Sequence, residues 1–210
     1  MELESCNNLI IFGGSFDPPH RAHIELPGQV LRQTGADLVA YVPAAAAPLK
    51  IAAQQSPAAD RLAMLRAALA GCDHALVMTD EIDRAANNEP SYTVDTLENL
   101  RRRLSDDVKL RLLIGVDQLA QFDRWKNAER IIELADPLVM ARPLCDAGDL
   151  ISSIPDAQQR GWWARRLVAV EPMDISSTDI RRRVANGEPI TRLVPPAVEA
   201  YIREHGLYRH

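Results

Sequence analysis

The stretch LIIFGGSFDPPHRAH, residues 9–23, decides the fold. Leu9 to Phe12 is a short, continuous apolar run, as expected of a strand buried on both faces. It ends at Gly13-Gly14, where missing side chains permit a tight turn and a close approach of backbone to a bound group. Pro18 and Pro19 stiffen the loop that follows. His20 and His23 are three residues apart and share one face if a helix starts here. Free N–H groups at a helix start favour an anion such as phosphate, and two imidazoles add further donors. The same residues also admit a plainer reading, a Gly/Pro turn with two solvated histidines.

Outward from this stretch, short apolar runs alternate with helical patterns. A helix is expected from about His23 to Thr34, stopped by Gly35, with Pro27 in its first turns or kinking it. Asp37–Val42 reads as a second strand. Ser56 as N-cap and Pro57 at the first helical position open a helix through Leu62, Leu65 and Leu69 to Gly71. Ala75–Met78 reads as strand, Thr93–Leu104 as helix and Leu110–Ile114 as strand. Asn127–Leu134, Leu138–Ala141 and Leu167–Val170 read as helix, strand and strand, and Ser177–Asn186 and Pro196–His205 as closing helices. This alternation predicts an α/β fold, a Rossmann-like doubly wound parallel sheet with helices on both faces. One domain spans 1–210, with a small helical C-terminal part from about 175. Ligands in such sheets sit at the carboxyl ends of the strands, where the polar signatures fall.

A net charge of −5 gives no chain-wide basic footprint, so a nucleic-acid partner is not expected. Positive potential for a polyphosphate must then be local to one cleft. Cys6, Cys72 and Cys145 are odd in number and far apart, which supports neither a disulfide framework nor a zinc site. Glu2 and Glu4 stand where a secretory signal carries positive charge, and the apolar run Leu38–Leu49 is short and broken by Pro43 and Pro48. A soluble, cytoplasmic protein is expected, without a membrane partner.

A second polar signature, ISSTDIR at residues 175–181, leads into a helix. Ser176, Ser177 and Thr178 offer hydroxyls and capping, and Arg181 lies one turn in, a good setting for outer phosphates. A capped helix with a solvated arginine is the alternative. Gly115 and Asp117 follow the fourth strand, where on local grounds the carboxylate suits a helix cap. Tyr92 and Thr93 precede a helix, and Trp125 and Lys126 follow FDR. Taken alone, Trp125 reads as a half-buried packing residue. The run Arg101–Arg103 reads as a solvated helix face.

GGSFDPPHRAH resembles the (H/T)xGH signature of the nucleotidyltransferase superfamily, in the form typical of bacterial nicotinate-nucleotide adenylyltransferases. The family's glycine before the second histidine is Ala22 here. ISSTDIR, Ser91-Tyr92-Thr93, Gly115-Val116-Asp117, Arg142-Pro143 and the closing GLYR are similar to further family elements, so the resemblance spans nearly the whole chain. It implies adenylyl transfer from ATP to nicotinate mononucleotide, giving nicotinate adenine dinucleotide and pyrophosphate in NAD biosynthesis. His20, His23 and Arg181 are then catalytic. Gly13, Gly14, Ser15, Phe16, Gly115, Asp117, Arg142, Ser176, Ser177 and Thr178 would bind ATP. Lys50, Tyr92, Thr93, Trp125 and Lys126 would bind the mononucleotide. Lys50 follows Leu49, where relatives commonly have a histidine. Mg²⁺ is expected to travel with ATP, with no metal site built from protein, and homo-oligomerisation is left open. A phosphopantetheine-type adenylyltransferase and a catalytically impaired nucleotide-binding protein are the alternatives.

Overall fold

The computed structural model describes residue 3 and residues 6–45, 55–86, 92–140, 151–152, 154 and 156–209. Leu9–Phe12 form the buried middle of β1 (Asn8–Gly14). The other strands are β2 (Leu38–Pro43), β3 (Ala75–Val77), β4 (Lys109–Gly115), β5 (Asp136–Met140) and β6 (Leu167–Val168). They form one sheet in the order β3-β2-β1-β4-β5-β6, and every pairing is parallel. The chain steps from β1 outward through β2 to β3, then returns to the far side of β1 as β4. The carboxyl ends of β1 and β4 therefore border the switch-point crevice where α/β sheets bind ligands.

Nine α-helices are described: α1 (Arg21–Thr34), α2 (Ala58–Leu69), α3 (Asp80–Ala86), α4 (Thr93–Arg103), α5 (Val116–Leu119), α6 (Ala128–Leu134), α7 (Ala157–Ala164), α8 (Ser177–Ala185) and α9 (Pro196–Glu204). One apolar cluster joins Leu9, Ile11, Leu112 and Ile114 to α4 residues Val94, Leu97 and Leu100. A second joins Ile10, Phe12 and Leu113 to Leu26 and Val30 of α1. Alternating β1 and β4 residues thus bury both sheet faces, as expected from the apolar runs Leu9–Phe12 and Leu112–Ile114. Met64 and Ala68 of α2 meet Ile180, Val194, Val198 and Ile202 in a third cluster, which docks the last two helices.

Several expectations shift in detail. Gly35 ends α1 in the left-handed region at φ 59°, with its N–H returning to the Leu31 carbonyl. Pro27 is buried at the seventh helical position, in the second turn as expected, and withholds the usual helical donor from the His23 carbonyl. Pro57, not Ser56, is the N-cap of α2. The buried face of α2 is Arg61, Met64, Leu65, Ala68 and Leu69, while Leu62 is only half-buried. β5 starts at Asp136 despite Pro137, because β6 pairs only with Val139 and Met140 and leaves Pro137 beside a single neighbour. The expected end of that strand, Ala141, lies outside the described residues.

The helices α3, α5 and α7 were not expected. The first two are short. In α7, Asp156 accepts from the Gln159 N–H at 2.7 Å, so the Asp-x-x-Gln pattern was its readable start signal. Among the described residues no helix is long and apolar enough to cross a membrane.

Candidate active site

The loop after β1 is built tightly. Gly13 and Gly14 pair in register with Val42 and Pro43, and the Gly14 carbonyl accepts from the Ala44 N–H at 2.8 Å. Phe16 takes a positive φ of 48° and is fully buried. Its ring lies edge-on to Phe12 at 5.8 Å and to His23 at 5.1 Å. A β-carbon on Gly14 would come within 3.0 Å of that ring, so a glycine is what lets Phe16 fold inward. Phe16 therefore offers a ligand its main chain only.

His20 is the N-cap residue of α1 and 3% exposed. The imidazoles of His20 and His23 are stacked, with centroids 3.6 Å apart and planes 16° from parallel. The His20 backbone N–H donates to His23 Nδ1 at 3.3 Å. Because a backbone N–H can only donate, Nδ1 must carry a lone pair, and the proton of neutral His23 sits on Nε2. His23 is thus oriented by the loop on one side while its other nitrogen is a donor. Ala22, in the place of the family glycine, is buried and belongs to the apolar cluster with Phe12, Phe16 and Leu26.

The second signature meets the first directly. Ser176 caps α8 by accepting from the Asp179 N–H at 3.1 Å. Ser177 Oγ donates to the Pro18 carbonyl at 2.9 Å, and Arg181 Nη1 donates to the Asp17 carbonyl at 2.7 Å. Arg181 Nη2 also reaches Thr178 Oγ1 at 3.3 Å. A further bond joins the Arg21 N–H to the Leu193 carbonyl at 2.9 Å. Neither a pair of solvated histidines nor a solvated arginine describes this arrangement.

Sequence reasoning missed Arg61. It is 1% exposed and donates four hydrogen bonds to backbone carbonyls. Nε reaches Ser56 at 3.1 Å, Nη1 reaches Ser15 at 2.9 Å and Ala44 at 2.6 Å, and Nη2 reaches Ala45 at 3.0 Å. Burial pushes its pKa down, and the charge of Asp17 offsets this only in part. One guanidinium thus ties the loops after β1 and β2 to the start of α2. Its signal was available: residue 61 occupies the first place of an i, i+3, i+4, i+7 stripe otherwise filled by Met64, Leu65 and Ala68.

Across the switch point, Gly115 ends β4 and caps α5, and its N–H donates to Gln118 Oε1 at 3.0 Å. Gln118, not Asp117, therefore satisfies this helix start. Asp117 is exposed, and a β-carbon on residue 115 would lie 2.5 Å from its Oδ1, so Gly115 leaves room for that carboxylate. Tyr92 is the N-cap residue of α4 and Thr93 its first residue. Lys126 joins this helix start to the segment after β4. Its Nζ lies 4.2 Å from the Tyr92 ring centroid and 3.4 Å from Asp95 Oδ1. Trp125 is half-buried against Phe122, with ring centroids 5.4 Å apart. The expected mononucleotide residues Tyr92, Thr93, Trp125 and Lys126 are thus brought together. Lys50, Ser91 and Arg142 lie outside the described residues.

A parallel sheet with a switch-point crevice, paired histidines at one helix start and a capped arginine-bearing helix hydrogen-bonded to it define a nucleotide-binding α/β protein. The model of the cytidylyltransferase-like family matches residues 11–183. A protein of Thermomicrobium roseum is 40% identical, covering 97% of this chain and 92% of its own, and one of Roseiflexus sp. is 39% identical, covering 95% and 96%. Both bear the name probable nicotinate-nucleotide adenylyltransferase. The solved nicotinic acid mononucleotide adenylyltransferase of Plasmodium falciparum shares the fold, with a TM-score of 0.71 at 16% identity, over 96% of this chain and 97% of that one. The chain belongs to the cytidylyltransferase-like family and, within it, to the nicotinate-nucleotide adenylyltransferases.

Proposed function

We propose that the protein transfers the adenylyl group of ATP to nicotinate mononucleotide, releasing pyrophosphate and forming nicotinate adenine dinucleotide in NAD biosynthesis. The observation that carries the phosphate-transfer chemistry is the direct contact of the two signatures, Ser177 to the Pro18 carbonyl and Arg181 to the Asp17 carbonyl. It places two helix starts, two imidazoles and a guanidinium around one loop. The relatives' names supply the acceptor.

The 5′-phosphate of the mononucleotide attacks the α-phosphorus of ATP in line, the new P–O bond forms, and the bond to the β-phosphate oxygen breaks. The nucleophile is already an anion, so no general base is required. Catalysis is positioning and neutralisation of charge that builds on the α- and β-phosphates. His23 supplies its Nε2 proton as a donor, and His20 stands stacked beside it. Arg181 and the start of α8, with Ser177 and Thr178, hold the departing pyrophosphate, and Ser176 acts as the cap that fixes this turn. Gly13, Gly14, Ser15 and the main chain of Phe16 border ATP, and Asp117 accepts from a ribose diol over Gly115. The flat Trp125 stacks on the nicotinate ring. Main-chain donors of Thr93 and Lys126, next to Tyr92, favour its carboxylate. Lys50 is assigned to a substrate phosphate and Arg142 to the adenine end.

Mg²⁺ enters as part of Mg-ATP, held by phosphate oxygens and water, in keeping with its reluctance to dehydrate. Among the described residues no three His, Cys, Asp or Glu side chains gather as a metal cage.

The direct test is pyrophosphate release from Mg-ATP with nicotinate mononucleotide, nicotinamide mononucleotide and phosphopantetheine as separate acceptors. Release with the nicotinate mononucleotide well above the other two is expected. Release with phosphopantetheine alone, or with none of the three, overturns the reading. Trp125→Ala is expected to raise KM for the mononucleotide about ten-fold or more, as loss of one base-aromatic stack does, while KM for ATP changes little. Equal effects on both substrates would assign Trp125 to packing against Phe122.

A further inference from the structure

The C-terminal tail reaches back into the phosphate loop. Beyond α9 the chain turns at Gly206 (φ 62°) and continues to Tyr208, which also takes a positive φ of 62°. A tyrosine in the left-handed region carries a conformational cost that the surrounding contacts must offset. Those contacts are specific. The Tyr208 hydroxyl donates to Asp17 Oδ1 at 2.6 Å, and Asp17 is only 2% exposed. The Ser56 N–H donates to the other carboxylate oxygen at 3.1 Å. The Leu207 N–H returns to the Ile202 carbonyl at 3.0 Å and holds the tail against α9.

Asp17 occupies a sensitive place. Its own carbonyl receives Arg181, so its side chain and main chain are anchored by different parts of the chain. Between Asp17 and His20 lie only Pro18 and Pro19, whose rings fix φ at both positions. Movement at Asp17 is therefore carried to His20 with little slack, and through the His20–His23 stack to the second imidazole. Burial, then the bond to Asp17, pushes the Tyr208 pKa up, so the hydroxyl remains a donor throughout the neutral range.

We propose that Tyr208 is a positioning residue for adenylyl transfer, clamping the Asp17 carboxylate so that His20, His23 and Arg181 are held in one arrangement. The C-terminal tail is in this way part of the catalytic apparatus although it touches no reacting atom. The inference rests on the function proposed above.

The test is Tyr208→Phe, which removes one hydroxyl and keeps the ring, with Asp17→Asn as a second variant that retains the side chain's shape. Three measurements are made on each full-length protein: thermal midpoint, steady-state kinetics well below that midpoint, and backbone hydrogen exchange across residues 15–23. For Tyr208→Phe the expected result is kcat at least about ten-fold lower with KM for the mononucleotide little changed, a cost typical of a small misplacement of reacting groups. Exchange in 15–23 should rise while β1 stays protected, and Asp17→Asn should show the same pattern in milder form, since an amide can still pair with the tyrosine oxygen. A lower midpoint with normal kcat at low temperature would reduce Tyr208 to a stabilising contact and overturn the proposal, as would unchanged exchange in both variants. Wild-type protein that turns over none of the acceptors would sink the functional reading instead, and the exchange measurement still decides whether the clamp exists.

Discussion

His23→Ala is expected to lower kcat by two decades or more, about 2.7 kcal/mol of lost transition-state stabilisation. The expectation follows from how the ring is held. Its Nδ1 is committed to the His20 N–H, which leaves Nε2 as a proton donor, and the ring is sandwiched between His20 and Phe16. A donor held in advance gains strength as phosphate charge grows and requires no reorganisation during the reaction. The same geometry gives His23 a capping duty, so the alanine variant should also lose about 1 kcal/mol of stability. His23→Asn separates the two duties. Its side-chain oxygen can accept from the His20 N–H, whereas the shorter amide cannot reach as far as Nε2. Thermal unfolding should therefore return toward the wild-type midpoint in His23→Asn while kcat stays low. Near-normal turnover in the asparagine variant would remove His23 from the chemistry and leave it a cap.

Arg61→Met is expected to have the largest effect on stability. Methionine matches the length of the side chain but offers no donor, so the carbonyls of Ser15, Ala44, Ala45 and Ser56 lose their partner inside the protein. Hydrogen bonds to a charged group contribute about 1.5–3 kcal/mol each, and a buried acceptor left unsatisfied costs its full desolvation. Water reaching the loosened loops recovers part of that loss, so a net destabilisation on the order of 4 kcal/mol is expected. For a chain of this size that corresponds to a midpoint lower by roughly 10 °C. Arg61→Lys keeps the charge but not the fork, and should recover less than half of the difference. A shift of only a degree or two in Arg61→Met would show that the four bonds are easily replaced by water and that the loops hold themselves. Activity of the variant should fall as well, because the loops after β1 and β2 are no longer tied across the crevice.

The sheet was legible from its strands because a parallel, doubly covered strand needs a continuous apolar run, and Leu9–Phe12 and Leu112–Ile114 are such runs. Less visible were α3 and α5, which are too short for a periodic pattern to rise above composition, and the first two residues of β5, because Pro137 suits a strand only where β6 does not pair beside it. In α2 the expected stripe of Leu62, Leu65 and Leu69 is buried at Leu65 and Leu69, but Arg61 rather than Leu62 opens the buried face. A charged residue on a buried stripe draws the reading to the apolar neighbour, even where the spacing of Met64, Leu65 and Ala68 marks its place.

Of the candidate site, the sequence by itself determined which chemical groups are available. The Gly13-Gly14 turn, the histidine pair at a helix start, the Ser/Thr-capped helix with Arg181 and the Tyr92-Thr93 and Trp125 segments are all local features, written within windows of a few residues. Only the tertiary structure decided their partners. Arg181 meets the Asp17 carbonyl across 164 residues, Tyr208 meets the Asp17 carboxylate across 191, and Arg61 meets Ser15 across 46. Periodicity and capping report the preferences of a segment for its own backbone, because the energies involved act between neighbours in sequence. Which donor satisfies a given buried carbonyl depends on how the helices pack onto the sheet, and that is set by the burial of all three apolar clusters together.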